Sequence, residues 1–264
     1  MSTKNLFALA TLALAALSPM SLLAAEDAAP SVAESTPDDN DDNGTNPTRV
    51  SRTMLVKYEY LKLRNGGQSD ILRFQYTHPL GDGWSVTGKL PVAYVDTTRA
   101  SGSGLGDVSV EVGKIFGLDK EGGHVVRGEV FFDTATRPEL GNGNYVFKGS
   151  YIRAFFLQNG AIFAPAWVQT VSLLNGEDRP RINLSTVDLY YVPKMADPKN
   201  LVTFDPNLNY NWENDVYFAG LAVTLGRNLG KSPFGGGNQF VLVKPAVLIG
   251  GNRPSTWGVE LTYK

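Results

Sequence analysis

Residues 103–116, SGLGDVSVEVGKIF, alternate between apolar and polar side chains. Val108, Val110 and Val112 share one face, and Glu111 lies at the centre of the other. A two-residue period of this kind is typical of a β-strand that buries one face. In a soluble sheet the valines would point into the core. In a membrane barrel they would face lipid, and Glu111 would face the lumen.

The same alternation continues from residue 51 to residue 264, and eleven stretches rich in Gly, Asn, Asp and Pro interrupt it. These residue types tolerate the backbone angles of tight turns. Eleven turns make about twelve strands, at about 18 residues per strand with its connection. Soluble sandwiches space their turns by about 8–12 residues, whereas a membrane strand needs about 9–11 residues merely to cross the bilayer. We therefore predict an all-β fold, a single antiparallel up-and-down transmembrane barrel over residues 51–264.

The N-terminal region has the pattern of a secretory signal peptide. Lys4 precedes an apolar run over residues 6–17, and small residues precede Glu26. This order of a charged start, an apolar middle and a small-residue cleavage site predicts a signal peptide over residues 1–25. Residues 26–50 are rich in Ala, Pro, Ser, Asn and Asp. They contain too little apolar surface to form a core, so we predict a disordered acidic leader there.

The composition argues against several kinds of site. The chain has no cysteine, which excludes disulfides, thiolate metal sites and cysteine nucleophiles. The formal net charge of −2 gives no reason to expect a nucleic-acid partner. Asp39, Asp41, Asn43 and Gly44 match the opening of an EF-hand loop, but Val50 stands where its closing glutamate belongs. We predict neither a metal site nor a cofactor.

The polar face of the predicted strands carries charges of both signs. Such charges are costly in a soluble core, but they can pair with one another in the polar interior of a barrel. This favours the membrane barrel, with the valines of residues 103–116 facing lipid. We predict that the lumen is lined by Lys57, Glu59, Arg73, Lys89, Glu111, Arg127, Glu129, Asp188, Asp205, Lys244 and Glu260.

The C-terminal sequence STWGVELTYK contains a second signal. Ser255, Gly258, Leu261 and Tyr263 follow a polar-x-x-Gly-x-x-apolar-x-aromatic spacing. This resembles the terminal signal that the barrel-assembly machinery of Gram-negative bacteria recognises, although Lys264 follows the aromatic residue. It predicts the bacterial outer membrane as the location, with the assembly machinery and outer-membrane lipid as partners.

Residues 74–97, FQYTHPLGDGWSVTGKLPVAYVDT, and residues 104–116, GLGDVSVEVGKIF, resemble outer-membrane proteins grouped as "MetA-pathway of phenol degradation". The shared features are a PLGDGW-like turn, an apolar-Pro pair at Leu90-Pro91 and a GxGD turn from Gly104 to Asp107. These features are structural turns, so the resemblance implies no catalytic or binding residue. It implies an outer-membrane transport role, associated in some members with aromatic degradation.

Outer-membrane enzymes that use a Ser–His pair provide an alternative function. The chain has two histidines, His78 and His124, and neither lies in the H-x-S-N-type sequence of those enzymes. We therefore predict a non-enzymatic channel or transporter for small molecules, hydrophobic or aromatic ones included. Two alternatives remain open: a structural or accessory barrel with a plugged lumen, and a soluble periplasmic β-sandwich binding protein.

Overall fold

The computed structural model describes residues 46–174, 181–233 and 237–264, and the predicted signal peptide lies outside them. No helix in these three ranges is long and apolar enough to span a membrane. The strands are β1 (Thr53–Leu63), β2 (Gln68–Gly81), β3 (Trp84–Asp96), β4 (Ser101–Leu105), β5 (Ser109–Phe116), β6 (Gly122–Phe131), β7 (Val146–Phe156), β8 (Ile162–Ser172), β9 (Asn183–Val192), β10 (Asn200–Asn211), β11 (Val216–Lys231), β12 (Asn238–Ile249) and β13 (Ser255–Tyr263).

These strands form one closed antiparallel barrel. Each strand pairs with its neighbour in sequence, and β1 closes the ring by pairing with β13, from Val56 opposite Tyr263 to Leu63 opposite Ser255. β4 and β5 both pair with β3, and they form one barrel strand interrupted at residues 106–108. The barrel therefore has twelve strands, which confirms the predicted fold class. The soluble-sandwich alternative is wrong, because β1 pairs with β13 and the described strands form one closed ring, whereas a sandwich consists of two packed sheets.

The two ends of the barrel differ in their connections. We call the end that holds the first residue of β1 and the last residue of β13 the terminal rim, and the opposite end the distal rim. Connections at the terminal rim have two to seven residues, whereas the distal rim has four short connections of four or five residues and the two longest ones, residues 132–145 and 173–182. Short periplasmic turns and longer external loops are usual in outer-membrane barrels.

The outer surface is apolar, and the valines of residues 103–116 lie on it. Val110 and Val112 are exposed there, whereas Glu111 is buried on the inner face. Aromatic pairs mark both ends of the apolar wall. Phe155 and Phe163 stack near the terminal rim, with ring centroids 6.4 Å apart. Tyr60 and Trp257 lie near the distal rim, with ring centroids 5.1 Å apart. Such girdles lie at the membrane–water interfaces of barrels.

Residues 46–50, at the end of the predicted leader, contact the inside of the barrel. The side chain of Asn46 accepts a hydrogen bond from the backbone N–H of Thr48 at 2.9 Å. Pro47 and Thr48 are buried, and Val50 contributes to a recess with inner-wall residues of β2, β3, β5 and β6. Residues 46–50 therefore lie inside the terminal rim. Their burial against the wall supplies the apolar contact that composition alone did not predict.

Prolines inside three strands interrupt one hydrogen-bonded ladder each. At Pro165 the β7–β8 register skips two residues, while the β8–β9 register runs through it. Pro206 interrupts β9–β10 but not β10–β11, and Pro245 interrupts β11–β12 but not β12–β13. Because proline has no N–H to donate, each gap lies on one side of its strand. The intact ladder on the other side keeps the wall closed.

Gly122 at the start of β6 provides a local test of this wall. Its φ is +150°, and a Cβ there would lie 1.8 Å from the carbonyl oxygen of Ala154 on β7. We expect Gly122→Ala to lower the free energy of unfolding by about 1–3 kcal/mol or more, since both the backbone angle and the contact are unfavourable. Urea titration of the refolded protein measures the change.

The matched control is Gly88→Ala on β3, where a Cβ would meet no atom within 4 Å. We expect this substitution to change the unfolding free energy by less than about 1 kcal/mol. Equal effects of the two substitutions would contradict the close approach of β6 and β7 at Gly122.

Candidate functional site in the barrel interior

A ring of charged side chains occupies the middle of the barrel interior. All eleven residues expected to line the lumen lie on the inner face, and Lys148 of β7 joins them. Eight of the eleven have exposed fractions between 1 and 9 %, and the side chains of Arg73, Lys89 and Arg127 are between 12 and 15 % exposed. We call these twelve residues the ionic belt: Lys57, Glu59, Arg73, Lys89, Glu111, Arg127, Glu129, Lys148, Asp188, Asp205, Lys244 and Glu260.

One side of the belt is organised around two glutamates that face each other. Glu111 on β5 lies directly opposite Glu129 on β6, an arrangement that is unfavourable for like charges. Lys89 on β3 bridges them, with its Nζ 3.0 Å from Glu111 and 3.2 Å from Glu129. Lys148 forms a second ion pair with Glu129, and Arg127 lies 3.9 Å from Glu111. The two negative charges are thus held by three positive ones.

A second pair of facing glutamates lies where the barrel closes. Glu59 on β1 is opposite Glu260 on β13. Arg73 pairs with Glu59 at 2.9 Å, and Lys57 pairs with Glu260 at 3.2 Å. The Lys57–Glu260 pair joins β1 to β13 where the ring closes, and the Arg73–Glu59 pair joins β2 to β1. This section of the belt is electrically balanced.

The third section of the belt crosses from β12 to β9. Lys244 on β12 pairs with Asp205 on β10 across the intervening strand β11. The side chain of Asp188 on β9 is hydrogen-bonded to Asp205. Within the described part of the chain, Lys244 is the lysine that faces these two carboxyl groups, and Glu260 of β13 lies on its other side. The wall at β9, β10 and β12 is therefore the most acidic part of the belt.

Lys148 was missed in the sequence analysis although the sequence contained a signal for it. Lys148 lies on the same face of β7 as Val146, Ser150 and Ile152, all of which point inward. Phe147 and Gly149 surround it, so the segment shows no strict apolar–polar alternation. The inward residues of β7 are mostly apolar, and the strand therefore gives a mixed pattern. The pairing partner Glu129 identifies Lys148 only once the strand register is known.

The burial of the belt has a direct consequence for the lumen. In a wide water-filled pore, inner side chains would be solvent-exposed along the whole wall. Here Lys57 and Glu129 are among the most buried large side chains of the described chain. Charges that leave water need partners, and the belt supplies them. The lumen is therefore narrow at mid-height and is lined by paired rather than free charges.

The distal end of the lumen is partly filled by the connection between β6 and β7. Leu140 in this connection is buried against inward-facing Ala93 and Val95 of β3. Asp107, in the GxGD turn between β4 and β5, accepts hydrogen bonds from the backbone N–H groups of Thr134 at 3.2 Å and Ala135 at 3.1 Å. It accepts a third from Asn142. The carboxylate of Asp107 thus binds both the first part of this connection, at Thr134 and Ala135, and its return arm, at Asn142.

The two histidines lie on the outer wall near the terminal rim. The ring of His124 stacks on Phe116 with centroids 5.2 Å apart, and its Nδ1 is 2.7 Å from the hydroxyl of Tyr151. His78 lies beside Tyr76, with ring centroids 6.3 Å apart. These contacts are with aromatic residues of the girdle. No group of three His, Asp or Glu side chains within the described ranges has the arrangement of a metal site.

The residues of the C-terminal signal are divided between the two faces of β13. Ser255 and Gly258 point inward, and a Cβ at Gly258 would lie 2.7 Å from the carbonyl oxygen of Tyr60 on β1. Leu261 and Tyr263 are exposed on the outer wall. The motif therefore combines a close approach to the first strand with an apolar outer edge.

The fold is similar to that of several solved outer-membrane proteins. A NanC porin is 13 % identical with a TM-score of 0.58, over 80 % of this chain and 98 % of that chain. The COG4313 outer membrane channel from Pseudomonas putida F1 is 12 % identical with a TM-score of 0.60, over 87 % and 98 %. A KdgM porin is 9 % identical with a TM-score of 0.51, over 79 % and 96 %. The chain thus has the fold of an outer-membrane β-barrel.

The other two comparisons found no relative. No family model matches the sequence, and no curated protein matches it. The resemblance of residues 74–116 to the phenol-degradation group therefore stays a prediction.

Proposed function

We propose that this chain is a narrow outer-membrane channel for small molecules, hydrophobic and aromatic ones included. The observation that carries the proposal is the ionic belt inside a closed barrel with an apolar outer wall. An interior built for stability alone is better filled with apolar side chains, since replacing buried ion pairs by packed apolar residues is often neutral or stabilising. A polar belt is the arrangement expected where solutes must cross.

The names of the similar structures support the same proposal. They are described as porins and as an outer membrane channel, and each shares the twelve-stranded fold at low sequence identity. A general pore for large hydrophilic solutes is a poor fit here, because the belt is buried. The belt has six basic and six acidic side chains, and this formal balance also favours weak selectivity between anions and cations.

Planar-bilayer recording with the refolded full chain tests the channel. We expect small, resolvable conductance steps with weak ion selectivity. The double variant Glu129→Ala, Lys148→Ala removes one buried pair without leaving a net charge, and we expect it to conduct more than the unmodified chain. A suitable control is Leu189→Ala on the outer wall of β9, which should leave the conductance unchanged. Silence of the unmodified chain and of the double variant would contradict a channel function.

The substrate class is the finer part of the proposal. The resemblance of residues 74–116 to the phenol-degradation group and the apolar inner wall of β6–β9 both favour solutes of low polarity. That wall includes Val125, Ile152 and Val168. We expect calorimetric titration of the detergent-solubilised chain to detect binding of phenol but not of glucose at the same concentration. Equal heats for both solutes, or binding of glucose alone, would overturn the assignment.

A structural or accessory barrel with a plugged lumen is the second candidate. It is favoured by the coverage of both ends, with residues 46–50 inside the terminal rim and residues 132–145 at the distal rim. The bilayer recording separates it from a channel. We propose no catalytic role, because the histidines contact girdle aromatics.

We further propose that β13 carries the signal for the barrel-assembly machinery and that outer-membrane lipid surrounds the apolar wall. The exposed Leu261 and Tyr263 are available for recognition before the barrel closes. We expect Tyr263→Ala to reduce the amount of heat-modifiable barrel in cell membranes, while the purified variant still refolds in detergent. Normal assembly of Tyr263→Ala in cells would contradict the proposed signal.

A further inference from the structure

The glycines of the SGSGLGD segment are not explained by turn formation alone. Gly102 and Gly104 lie within β4, where they pair with Val95 and Ala93 of β3. Both partners face the interior, so the two glycines do as well. Side chains larger than hydrogen at these positions would project into the distal part of the lumen.

The space beside these glycines is occupied by the β6–β7 connection. A Cβ at Gly102 would lie 2.4 Å from the guanidinium of Arg137, and one at Gly104 would lie 2.1 Å from the hydroxyl of Thr136. A Cβ at Gly106 would lie 3.0 Å from the carbonyl oxygen of Leu140. Gly102, Gly104 and Gly106 thus leave space on one wall for the connection. We call these three residues the glycine track.

Backbone hydrogen bonds hold the connection along this track. The N–H of Thr136 donates to the carbonyl of Leu105 at 3.0 Å, and the N–H of Phe132 donates to the carbonyl of Val108 at 2.9 Å. The hydroxyl of Thr134 accepts a hydrogen bond from the N–H of Val108 at 2.9 Å. Together with the three bonds to Asp107, they anchor the start of the loop and the return arm at Asn142.

The return arm lies deeper than the start. Residues 140–144 are all buried, whereas Asp133, Thr134 and Arg137 are exposed. The buried arm includes Leu140, which contacts the inner wall of β3. The arm therefore occupies cross-section at the distal mouth that would otherwise belong to the lumen.

We propose that residues 140–144 form a fixed size filter at the distal mouth, held against the glycine track by Asp107. The proposal rests on the channel function proposed above and specifies which part of the channel selects solutes by size. Asp107 acts as a positioning residue, because its carboxylate binds loop backbone rather than solute.

Asp107→Ala removes all three acceptor contacts. Each bond contributes about a factor of five to the population of the packed loop, so we expect the displaced loop to become about a hundredfold more populated. In planar bilayers the variant should conduct more and should admit larger polyethylene glycols than the unmodified chain. Asp107→Asn retains the oxygen that accepts from Thr134 and Ala135 but loses the acceptor for Asn142, so we expect a smaller effect, with the displaced loop about fivefold more populated. The matched control is Asp133→Ala at the exposed neighbouring carboxylate, which should change neither readout.

A cross-link tests the position of the loop independently of conductance. A Cβ at Gly104 would lie 3.5 Å from the Cβ of Thr136, which is within the range that a disulfide spans. The unmodified chain contains no cysteine, so two introduced cysteines can pair only with each other within one chain. We expect Gly104→Cys, Thr136→Cys to oxidise efficiently and to conduct equally before and after reduction, since a fixed filter does not move during passage.

The outcomes separate the two proposals. If Asp107→Ala matches Asp133→Ala in size cutoff, or if the cysteine pair fails to form, the size filter is wrong. If the oxidised pair conducts less than the reduced pair, the loop moves during conduction and a fixed filter is also wrong. If the cross-link forms but neither the unmodified chain nor Asp107→Ala conducts, the channel function fails and the filter falls with it, while the loop position stands.

Discussion

Replacing Glu129 with glutamine is expected to lower the free energy of unfolding by about 3–5 kcal/mol, since it leaves a buried cation without its partner. Glu129 is almost fully buried and binds Lys148, Lys89 at 3.2 Å and the hydroxyl of Ser109 at 2.6 Å. Lys148 is buried as well, so its charge has no access to bulk water. Urea titration followed by tryptophan fluorescence measures the loss in detergent or in vesicles.

The double variant Glu129→Gln, Lys148→Met separates the ion pair from the volume it fills. Removing both charges leaves no unpaired cation at β7, so we expect it to recover most of the lost stability. The exposed pair Arg137–Glu139, at 3.7 Å with the arginine 52 % exposed, provides a comparison. Glu139→Gln should cost at most about 1 kcal/mol. A negligible effect of Glu129→Gln on the free energy of unfolding would indicate a wide, hydrated lumen and would contradict the burial of the ionic belt.

Replacing Val112 with arginine is expected to cost about 2–4 kcal/mol of folding free energy, because it places a charge in the lipid-facing wall. Val112 is exposed on the outer face of β5, four residues from Phe116 of the terminal girdle. The cost should be measured by urea titration of the barrel folded into phospholipid vesicles, and it should shrink in short-chain detergent that solvates the arginine.

The control is Val112→Leu, which retains an apolar side chain and should change the stability by less than about 1 kcal/mol. Lys114→Arg, on the same face but nearer the rim, should also be tolerated, because its Nζ lies 5.1 Å from the Trp84 ring centroid at the interface. A tolerated Val112→Arg would mean that this face of β5 is not in contact with lipid.

Much of the fold was predictable because a barrel repeats one simple rule. Each strand alternates between lipid and lumen, so Val112 and Glu111 are assigned to opposite faces by their neighbours. The clusters of Gly, Asn, Asp and Pro predict the turns. One barrel strand is interrupted at residues 106–108, so the twelve barrel strands consist of thirteen segments.

The candidate site was predictable only in part. The sequence pattern assigned Lys89 and Glu111 to the inner face, but it could not assign partners, because the pairing depends on strand register across the ring. Lys148 was missed for the same reason. Asp107 looked like a turn former, and its role depends on a loop that begins 25 residues later in the chain. Contacts between segments far apart in sequence leave no local periodic signal.

The pairing of β1 with β13 also sets the order of events during biogenesis. Backbone groups at an open strand edge cannot be left in the bilayer core, so the first strand needs its partner before the wall is sealed from lipid. That partner, β13, is synthesised after the other described strands. The ion pair between Lys57 of β1 and Glu260 of β13 also forms only when these two strands pair. Closure of the wall must therefore wait until β13 has been made, and the edge of β1 needs a temporary partner until the ring is complete.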